Sequence, residues 1–362
     1  MKKSFPFVCI PATLLVILLG VCGMITIAVG CQTAAEPFAL VWKQFIRLAV
    51  GLVLMWGTAN IPFEKIKKSS PYLIGLSLAL LYALLKYGTK INGMRGWFKY
   101  GEISFQPSEP GKVFFLLGLV LLLTSRKAVN GSDIKKLLCC GAYTFVWLAA
   151  LLLQPDMGTA AVYAATFVVI LFLGNIRLRY ILSLIIAGIS VVTGFILTHP
   201  YAMRRISGFL NPESDPLGRN WHLNQLLRAV ARGSWTGVKS TNAHWSKSYL
   251  PFSYNDSVFA SVCESTGFFG AILIPTAFIV LYLVLTREAE NRQLSCDRQL
   301  FVKGAAFMLV FQSFLHISVN LGLLPVTGIT MLFVSYGGSS IMSGCLLLGM
   351  TFSALKKEKN TI

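Results

Sequence analysis

Ten long apolar segments recur along this chain, and they constrain its fold more than any other feature. A helix that crosses a bilayer needs about 20 mostly apolar residues. The composition agrees, since 55% of the residues are apolar and 13% are charged, against about 45–50% and 25% in soluble domains. The sequence predicts an all-α polytopic membrane protein, one domain over residues 1–362. Its spans are expected at roughly 6–30, 42–62, 71–88, 110–124, 137–153, 157–174, 180–198, 257–285, 300–325 and 327–352.

The formal net charge of +18 would indicate nucleic acid binding in a soluble protein. In a membrane protein, lysine and arginine gather in the cytoplasmic connections. With ten spans and a cytoplasmic N-terminus, alternate connections are basic, so both termini are predicted to be cytoplasmic and no nucleic acid partner is expected. Two basic segments remain on the predicted outer face, at residues 86–112 and 199–256.

The eight cysteines form no CxxC pair and lie mostly in apolar segments. None of them falls in the long connection at 199–256. They are interpreted as small core residues rather than as a disulfide framework or a metal site.

Residues 199–256 form a long extracytoplasmic loop between spans 7 and 8, far beyond the usual loop length. The loop interleaves arginines and lysines with tryptophans and tyrosines, which suits an anionic, amphiphilic ligand such as a lipid phosphate. An interfacial anchoring belt is the alternative interpretation. Within the loop, residues 221–231 (WHLNQLLRAVA) have the period of an amphipathic helix that lies at the interface or lines a cavity.

Four segments, in order and spread over nearly the whole chain, carry a family resemblance. They are 93–97 (GMRGW) with 105–109 (FQPSE); 154–160 (QPDMGTA); 209–218 (FLNPESDPLG) with 250–251 (LP) and Asp256; and 322–328 (GLLPVTG) with 335–340 (SYGGSS). In these segments the chain resembles the SEDS family, whose members include FtsW, RodA and SpoVE.

The resemblance implies a peptidoglycan glycosyltransferase that polymerises lipid II on the outer face of the bacterial cytoplasmic membrane. It also implies a class B penicillin-binding protein as partner, within the divisome or the elongasome. Residues 199–205 (HPYAMRR) and 232–233 (RG) favour an FtsW-like division role, whereas the short N-terminus favours a RodA-like elongation role. Of the two roles, the sequence favours division.

Glycan polymerisation needs a base for the acceptor hydroxyl and positive charge for the departing undecaprenyl pyrophosphate. The resemblance assigns the essential carboxylate to Asp256, although Asn255-Asp256-Ser257 is also a good helix-capping sequence. The candidate phosphate ligands are Arg95, Arg204 and Arg205, whose alternative is headgroup contact. Trp97 is a candidate for stacking on a sugar or for anchoring at the interface. No cofactor is identified, and a divalent cation at the pyrophosphate is one alternative.

Three further acidic or basic positions belong to the predicted substrate-binding set. Glu109 and Lys112 open the fourth span, where the resemblance implies contact with lipid II and the helix dipole offers a structural alternative. Glu264 lies about 12 Å along the eighth span from Asp256, where it is expected to bind substrate or to pair with a basic residue of a neighbouring span. Asp156 is interpreted chiefly as a cap of the sixth span.

The segment before Asp256 lacks two residues that are usual in the family, since it runs from Leu250 through Phe252 and Tyr254 with no glutamate or histidine. This departure motivates a second hypothesis, a non-catalytic scaffold that recruits the penicillin-binding protein. A third is a flippase for the lipid-linked precursor, because acids within spans also suit transport. Transporters often show inverted repeats and paired broken helices, and the sequence shows no such pairing.

Overall fold

The architecture is taken from a computed structural model of the 362-residue chain. The structure describes residues 6–30, 37–91, 93–101, 103–125, 131–198, 203, 207–211, 220–239, 245–250 and 253–356. Arg204 and Arg205, two of the predicted phosphate ligands, lie outside these residues.

The first third of the chain forms three long helices and a small sheet. The elements are α1 (Cys9–Gly30), α2 (Pro37–Asn60), α3 (Phe63–Tyr87), β1 (Thr89–Ile91), β2 (Met94–Tyr100) and β3 (Ile103–Phe105). Strand β2 is central and pairs antiparallel with both neighbours, so that Trp97 faces Thr89 and Phe98 faces Phe105. This sheet occupies the basic segment 86–112, for which the sequence predicted only a connection, because such short strands show too little alternation to be recognised.

The remaining described elements are helical. They are α4 (Ser108–Thr124), α5 (Asp133–Leu153), α6 (Met157–Leu173), α7 (Leu178–Thr198), α8 (Trp221–Gly233), α9 (Trp245–Ser248), α10 (Val258–Ala271), α11 (Leu273–Asn291), α12 (Cys296–Asn320) and α13 (Gly338–Leu355). Helices α4, α12 and α13 form the buried centre of the bundle, and α2 lies along α13.

A helix lies at each of the ten predicted positions, and the all-α polytopic class is confirmed. Among the described residues, 6 helices are long and apolar enough to cross a membrane, or up to 7 when α10 and α11 count as one bent span. The apolar parts of α6 and α7 are shorter. The count of ten spans and the outer position of the long loop therefore stay predictions.

The last predicted span, 327–352, is wrong at its start, because α13 begins only at Gly338. Gly328 and Phe333 have φ values of 71° and 66°, in the left-handed region that interrupts a helix. Ser335 accepts a hydrogen bond from the backbone N–H of Met331 at 2.9 Å, which closes the irregular segment. Hydropathy alone does not detect such backbone turns, since the segment is as apolar as a helix.

The predicted eighth span, 257–285, is broken into α10 and α11, whose axes differ by 64°. Gly267 has a φ of 66°, and the backbone groups that the break releases are satisfied by the long loop. Phe268 N–H donates to the Ser234 carbonyl at 2.9 Å, and Val238 N–H donates to the Glu264 carbonyl at 2.8 Å. A break at membrane depth needs such partners because lipid offers none.

The amphipathic helix predicted at 221–231 is confirmed as α8. It packs against α10, with Leu223 and Leu226 buried and Leu227 partly exposed. Gly233 at its end permits the contact, because a Cβ atom there would lie 2.0 Å from the carbonyl oxygen of Cys263.

Candidate functional site

Asp256 lies in the turn that immediately precedes α10, two residues before the helix begins at Val258. The side chain of Asn320 fixes this turn from the end of α12. Its Nδ2 donates to the carbonyl of Asp256 at 3.0 Å, and its Oδ1 accepts from the N–H of Ala260 at 3.1 Å. The main chain on both sides of the helix start is therefore held by one buried amide.

The carboxylate of Asp256 has no hydrogen-bonding or ion-pairing partner within the part of the chain that the structure describes. Residue 328 approaches closely, since a Cβ atom on Gly328 would lie 3.6 Å from Oδ2. The residue keeps some exposed surface, yet burial raises its pKa to about 7. A carboxyl group with a pKa near neutrality has the proton affinity of a general base.

Three buried polar residues follow one face of α12 at a spacing of four residues, namely Gln312, His316 and Asn320. Gln312 Nε2 donates to the carbonyl of Thr330 at 3.1 Å, and His316 Nδ1 lies 2.8 Å from the carbonyl of Ile329. A ring nitrogen facing a carbonyl must be the donor, so Nε2 is the acceptor for Asn320 Nδ2, 3.2 Å away. This polar row therefore attaches two segments to α12, the segment at Ile329 and Thr330 and the turn that carries Asp256.

Sequence reasoning missed the polar row as a unit, although a signal for it was present. Gln312, His316 and Asn320 stand at positions i, i+4 and i+8 of an apolar span, which places them on one helical face.

Glu109 and Lys112 form an ion pair of 2.5 Å in the centre of the bundle. They are 3% and 2% exposed, and Lys112 Nζ also donates to Gln312 Oε1 at 2.5 Å. Ser343 on α13 donates to the carbonyl of Glu109 at 2.6 Å. Both side chains are thus occupied within the protein, and their predicted contact with lipid II stays a prediction.

Glu264 is fully buried and accepts hydrogen bonds from three donors of the long loop. These are the backbone N–H groups of Trp245 and of Ser246 (2.8 Å), and Nε of Arg232 (3.3 Å). The sequence-based alternative expected a basic partner on a neighbouring span. The structure instead supplies Arg232, which belongs to the long loop. Glu264 anchors α8 and α9 to α10, and its predicted contact with substrate stays untested.

The other predicted positions lie on different elements, β2 for Arg95 and Trp97 and the start of α6 for Asp156. Arg95 lies on β2, and its Nη1 donates to the carbonyl of Leu85 at 2.9 Å, while Trp97 on the same strand is partly exposed. Asp156 caps α6 as expected, because it accepts from the N–H of Thr159 at 3.0 Å. No described contact joins Arg95 or Trp97 to Asp256.

A histidine that sequence reasoning did not single out lies beside Asp256. His222 of α8 lies with Nε2 3.0 Å from the hydroxyl of Ser257, the residue after Asp256. Burial lowers the pKa of His222 to about 4, so the ring is neutral near pH 7. It supplies an imidazole next to the turn, near where Tyr254 stands in place of the usual family histidine.

Within the described ranges, no group of three or more histidine, cysteine, aspartate or glutamate residues is placed to hold a metal ion. The divalent cation considered from the sequence stays an untested prediction.

The fold and the site define a polytopic helical membrane protein whose carboxylate is held where a long loop meets a broken span. A family described as cell cycle proteins, of the FtsW, RodA and SpoVE type, matches residues 7–360. The chain belongs to this family, and the SEDS resemblance is confirmed. It is a multi-pass protein of the bacterial cytoplasmic membrane.

Several similar proteins carry the name probable peptidoglycan glycosyltransferase FtsW, and two of them illustrate the similarity. The protein of Pseudoalteromonas translucida (strain TAC 125) is 31% identical over 342 residues, which cover 93% of this chain and 86% of the relative. The protein of Coxiella burnetii (strain RSA 493 / Nine Mile phase I) is 33% identical over 331 residues, which cover 90% and 88%.

Two solved structures share the whole fold. A chain of a peptidoglycan synthase complex, described as coordinating polymerization and crosslinking, gives a TM-score of 0.80 at 28% identity and covers 97% of this chain and 98% of its own. The rod shape determining protein RodA of Thermus thermophilus gives 0.72 at 25% identity, with 98% and 97% covered.

Proposed function

We propose that this protein is a peptidoglycan glycosyltransferase that polymerises lipid II into glycan strands on the outer face of the cytoplasmic membrane. The observation that carries the proposal is the carboxylate of Asp256. This group has no partner among the described residues, and burial raises its pKa to about 7. A structural carboxylate is normally paired or hydrogen-bonded, and one left unpaired in a fixed turn is suited to take a proton from a substrate.

In the proposed step, a sugar hydroxyl of one lipid II attacks the anomeric carbon of the growing chain. The new glycosidic C–O bond forms as the bond to the pyrophosphate breaks, and the hydroxyl proton passes to Asp256. The departing undecaprenyl pyrophosphate carries the negative charge away. Arg95, Arg204 and Arg205 are the proposed ligands of that charge, because a guanidinium group binds phosphate oxygens in a bidentate fork.

The division role and the partner are part of the same proposal. The relatives named FtsW support a role in division over one in elongation. The similarity to a chain of a synthase complex that coordinates polymerization and crosslinking supports a crosslinking partner, a class B penicillin-binding protein. Localisation of a fluorescent fusion to the septum rather than the sidewall is the expected result.

The direct test is polymerisation by the purified protein together with its penicillin-binding partner in liposomes that contain lipid II. Glycan strands resolved by gel electrophoresis are expected. Absence of strands, combined with movement of the lipid-linked headgroup across the vesicle membrane, would establish the flippase alternative instead. A strain in which Asp256→Ala supports growth while deletion does not would establish the scaffold, which the missing loop glutamate and histidine continue to motivate.

The pH dependence of polymerisation follows from the raised pKa of Asp256. Only the ionised carboxylate accepts a proton, so kcat is expected to rise about tenfold per pH unit below pH 7 and to level off near pH 8. The residual rate of an Asp256→Asn variant is expected to be flat over this range. Rates measured from pH 5.5 to 8.5 in one buffer series check both, and an equally flat wild-type profile would exclude Asp256 as the base.

The raised pKa of Asp256 also affects stability, which falls with rising pH where kcat is expected to rise. The folded state holds the proton of Asp256 more tightly than the unfolded state, whose carboxyl has a pKa of about 3.9. Stability from this group is therefore fully present below about pH 4 and is lost as the pH rises to about 7. The most active pH is thus not the pH at which this carboxyl contributes most to stability.

A further inference from the structure

Arg47 is a positive charge inside α2 without an acidic partner among the described residues. It stands ten residues after Pro37, about 15 Å along the helix from its start, in a segment of the chain apolar enough to cross a membrane. Its Nη1 is buried and makes no hydrogen bond. An unpaired charge within a span is energetically costly, and such residues generally bind an ion or a substrate.

The surroundings of Arg47 connect it to the turn that carries Asp256. Its guanidinium lies 4.1 Å from the centroid of the Tyr336 ring, and a Cβ atom on Gly338 would lie 3.3 Å from its Nε. Tyr336 N–H donates to the carbonyl of Tyr254 at 2.8 Å, and the two tyrosine rings meet edge to face at 5.6 Å. Arg47 is therefore held against the segment that ends, two residues later, at Asp256.

Two buried acceptors without partners are joined to the same segment. Gln44, three residues before Arg47 and 1% exposed, donates through Nε2 to the carbonyl of Ser335 at 2.9 Å, but its Oε1 is unpaired. Asn255 also has an unpaired Oδ1, and its carbonyl accepts from the Ser335 hydroxyl at 2.8 Å. Buried polar atoms are normally satisfied, so this cluster has unused capacity for a ligand that offers hydroxyl or amide donors.

The orientation of the arginine suits a ligand in the outer leaflet. Side chains on a helix lean toward its N-terminal end, which for α2 is the predicted outer end. A long arginine side chain extends further in that direction, toward the depth of lipid phosphates. A guanidinium backed by a tyrosine face presents its remaining N–H groups as a fork for two phosphate oxygens.

We infer that Arg47, Tyr336, Gln44 and Asn255 form a binding site for the phosphate and adjoining sugar of a lipid-linked saccharide, on the α2 side of Asp256. The inference rests on the proposed function, because polymerisation of lipid II supplies the phosphate-bearing substrate that Arg47 would bind. Arg47 binds the phosphate group, and the two free amide oxygens accept from the saccharide. A phospholipid headgroup offers the same phosphate chemistry but lacks the lipid-linked sugar.

The test compares Arg47→Gln and Arg47→Lys with Arg179→Gln in the full-length protein. Arg179 is a matched control, because it also lies over a neighbouring tyrosine ring, Tyr180 at 4.8 Å, but starts a different helix. Binding of undecaprenyl pyrophosphate and of phosphatidylglycerol is measured by native mass spectrometry. Arg47→Gln is expected to weaken pyrophosphate binding at least about tenfold, with partial recovery in Arg47→Lys and no change in Arg179→Gln.

Two other binding results would contradict the assignment. Unchanged binding of both lipids would show that Arg47 holds no phosphate, and loss of phosphatidylglycerol binding alone would assign the site to a membrane lipid. In the polymerisation assay, Arg47→Gln is expected to raise the KM for lipid II more than it lowers kcat. If the wild-type protein makes no strands but the pyrophosphate loss persists, the proposed activity fails while the site remains.

Discussion

Replacement of Asp256 by asparagine is expected to lower kcat for glycan polymerisation by about 100- to 10,000-fold, the range that a general base contributes. Asparagine keeps the size of the side chain and leaves the Asn320 bond to the main-chain carbonyl of residue 256 in place. The KM for lipid II should change little, because the loss affects proton transfer rather than substrate binding. Initial rates with purified complex at pH 7.5 measure both constants.

Asp133→Asn is a suitable control for that experiment. Asp133 pairs with Arg177 at 3.2 Å, in a partly exposed ion pair that lies outside the site. Its loss is expected to change kcat by less than about twofold, since an exposed pair contributes little. A rate for Asp256→Asn within threefold of wild type, with equal protein in the complex, would refute the assigned role of the carboxylate.

Replacement of Lys112 by methionine is expected to destabilise the protein by about 3–5 kcal/mol, the usual penalty for removing one partner of a buried pair. The carboxylate of Glu109, 3% exposed, would be left without its counter-ion in the centre of the bundle. The thermal midpoint of the purified protein in detergent should fall by several degrees, and the yield of folded protein should fall with it.

The double variant Lys112→Met with Glu109→Gln separates charge burial from loss of packing. Neutralising both partners removes the uncompensated charge, so most of the lost stability is expected to return. A single variant as stable as wild type would show that Glu109 takes up a proton at little cost. A double variant no better than the single would assign the effect to lost packing and to the bond from Lys112 to Gln312.

Apolar length predicted where the helices lie, but not where their backbones are interrupted. The helices follow the predicted segments because each buries its backbone bonds internally, which is a local property of the chain. The turns at Gly328 and Phe333 and the break at Gly267 depend on which other segments fill them. Those partners are distant in sequence, so no local pattern reveals them.

In the site as well, the features that depend on local sequence were predicted, and those that depend on residues distant in sequence were not. Asp256 was found through its motif, and Asp156 through its position at a helix start. The environment of Glu264 was not predictable, because its partners Trp245, Ser246 and Arg232 belong to a loop that folds back on the helix. Arg47 was overlooked because Lys43 and Arg47 are the only charged residues among the 24 of α2, so the hydropathy of the helix stays high.

The break between α10 and α11 makes residues 234–238 a structural substitute for a missing helical turn. Ser234 and Val238 form hydrogen bonds with the backbone groups of Phe268 and Glu264. The sequence of the loop and the sequence of the bent helix therefore have to remain compatible with each other. A chimaera that takes only 199–256 from a relative would combine the relative's loop with this chain's own helix break. A chimaera that takes 199–291 would transfer the loop together with the broken helix that it contacts. Exchange experiments across this family should therefore place their second junction after α11.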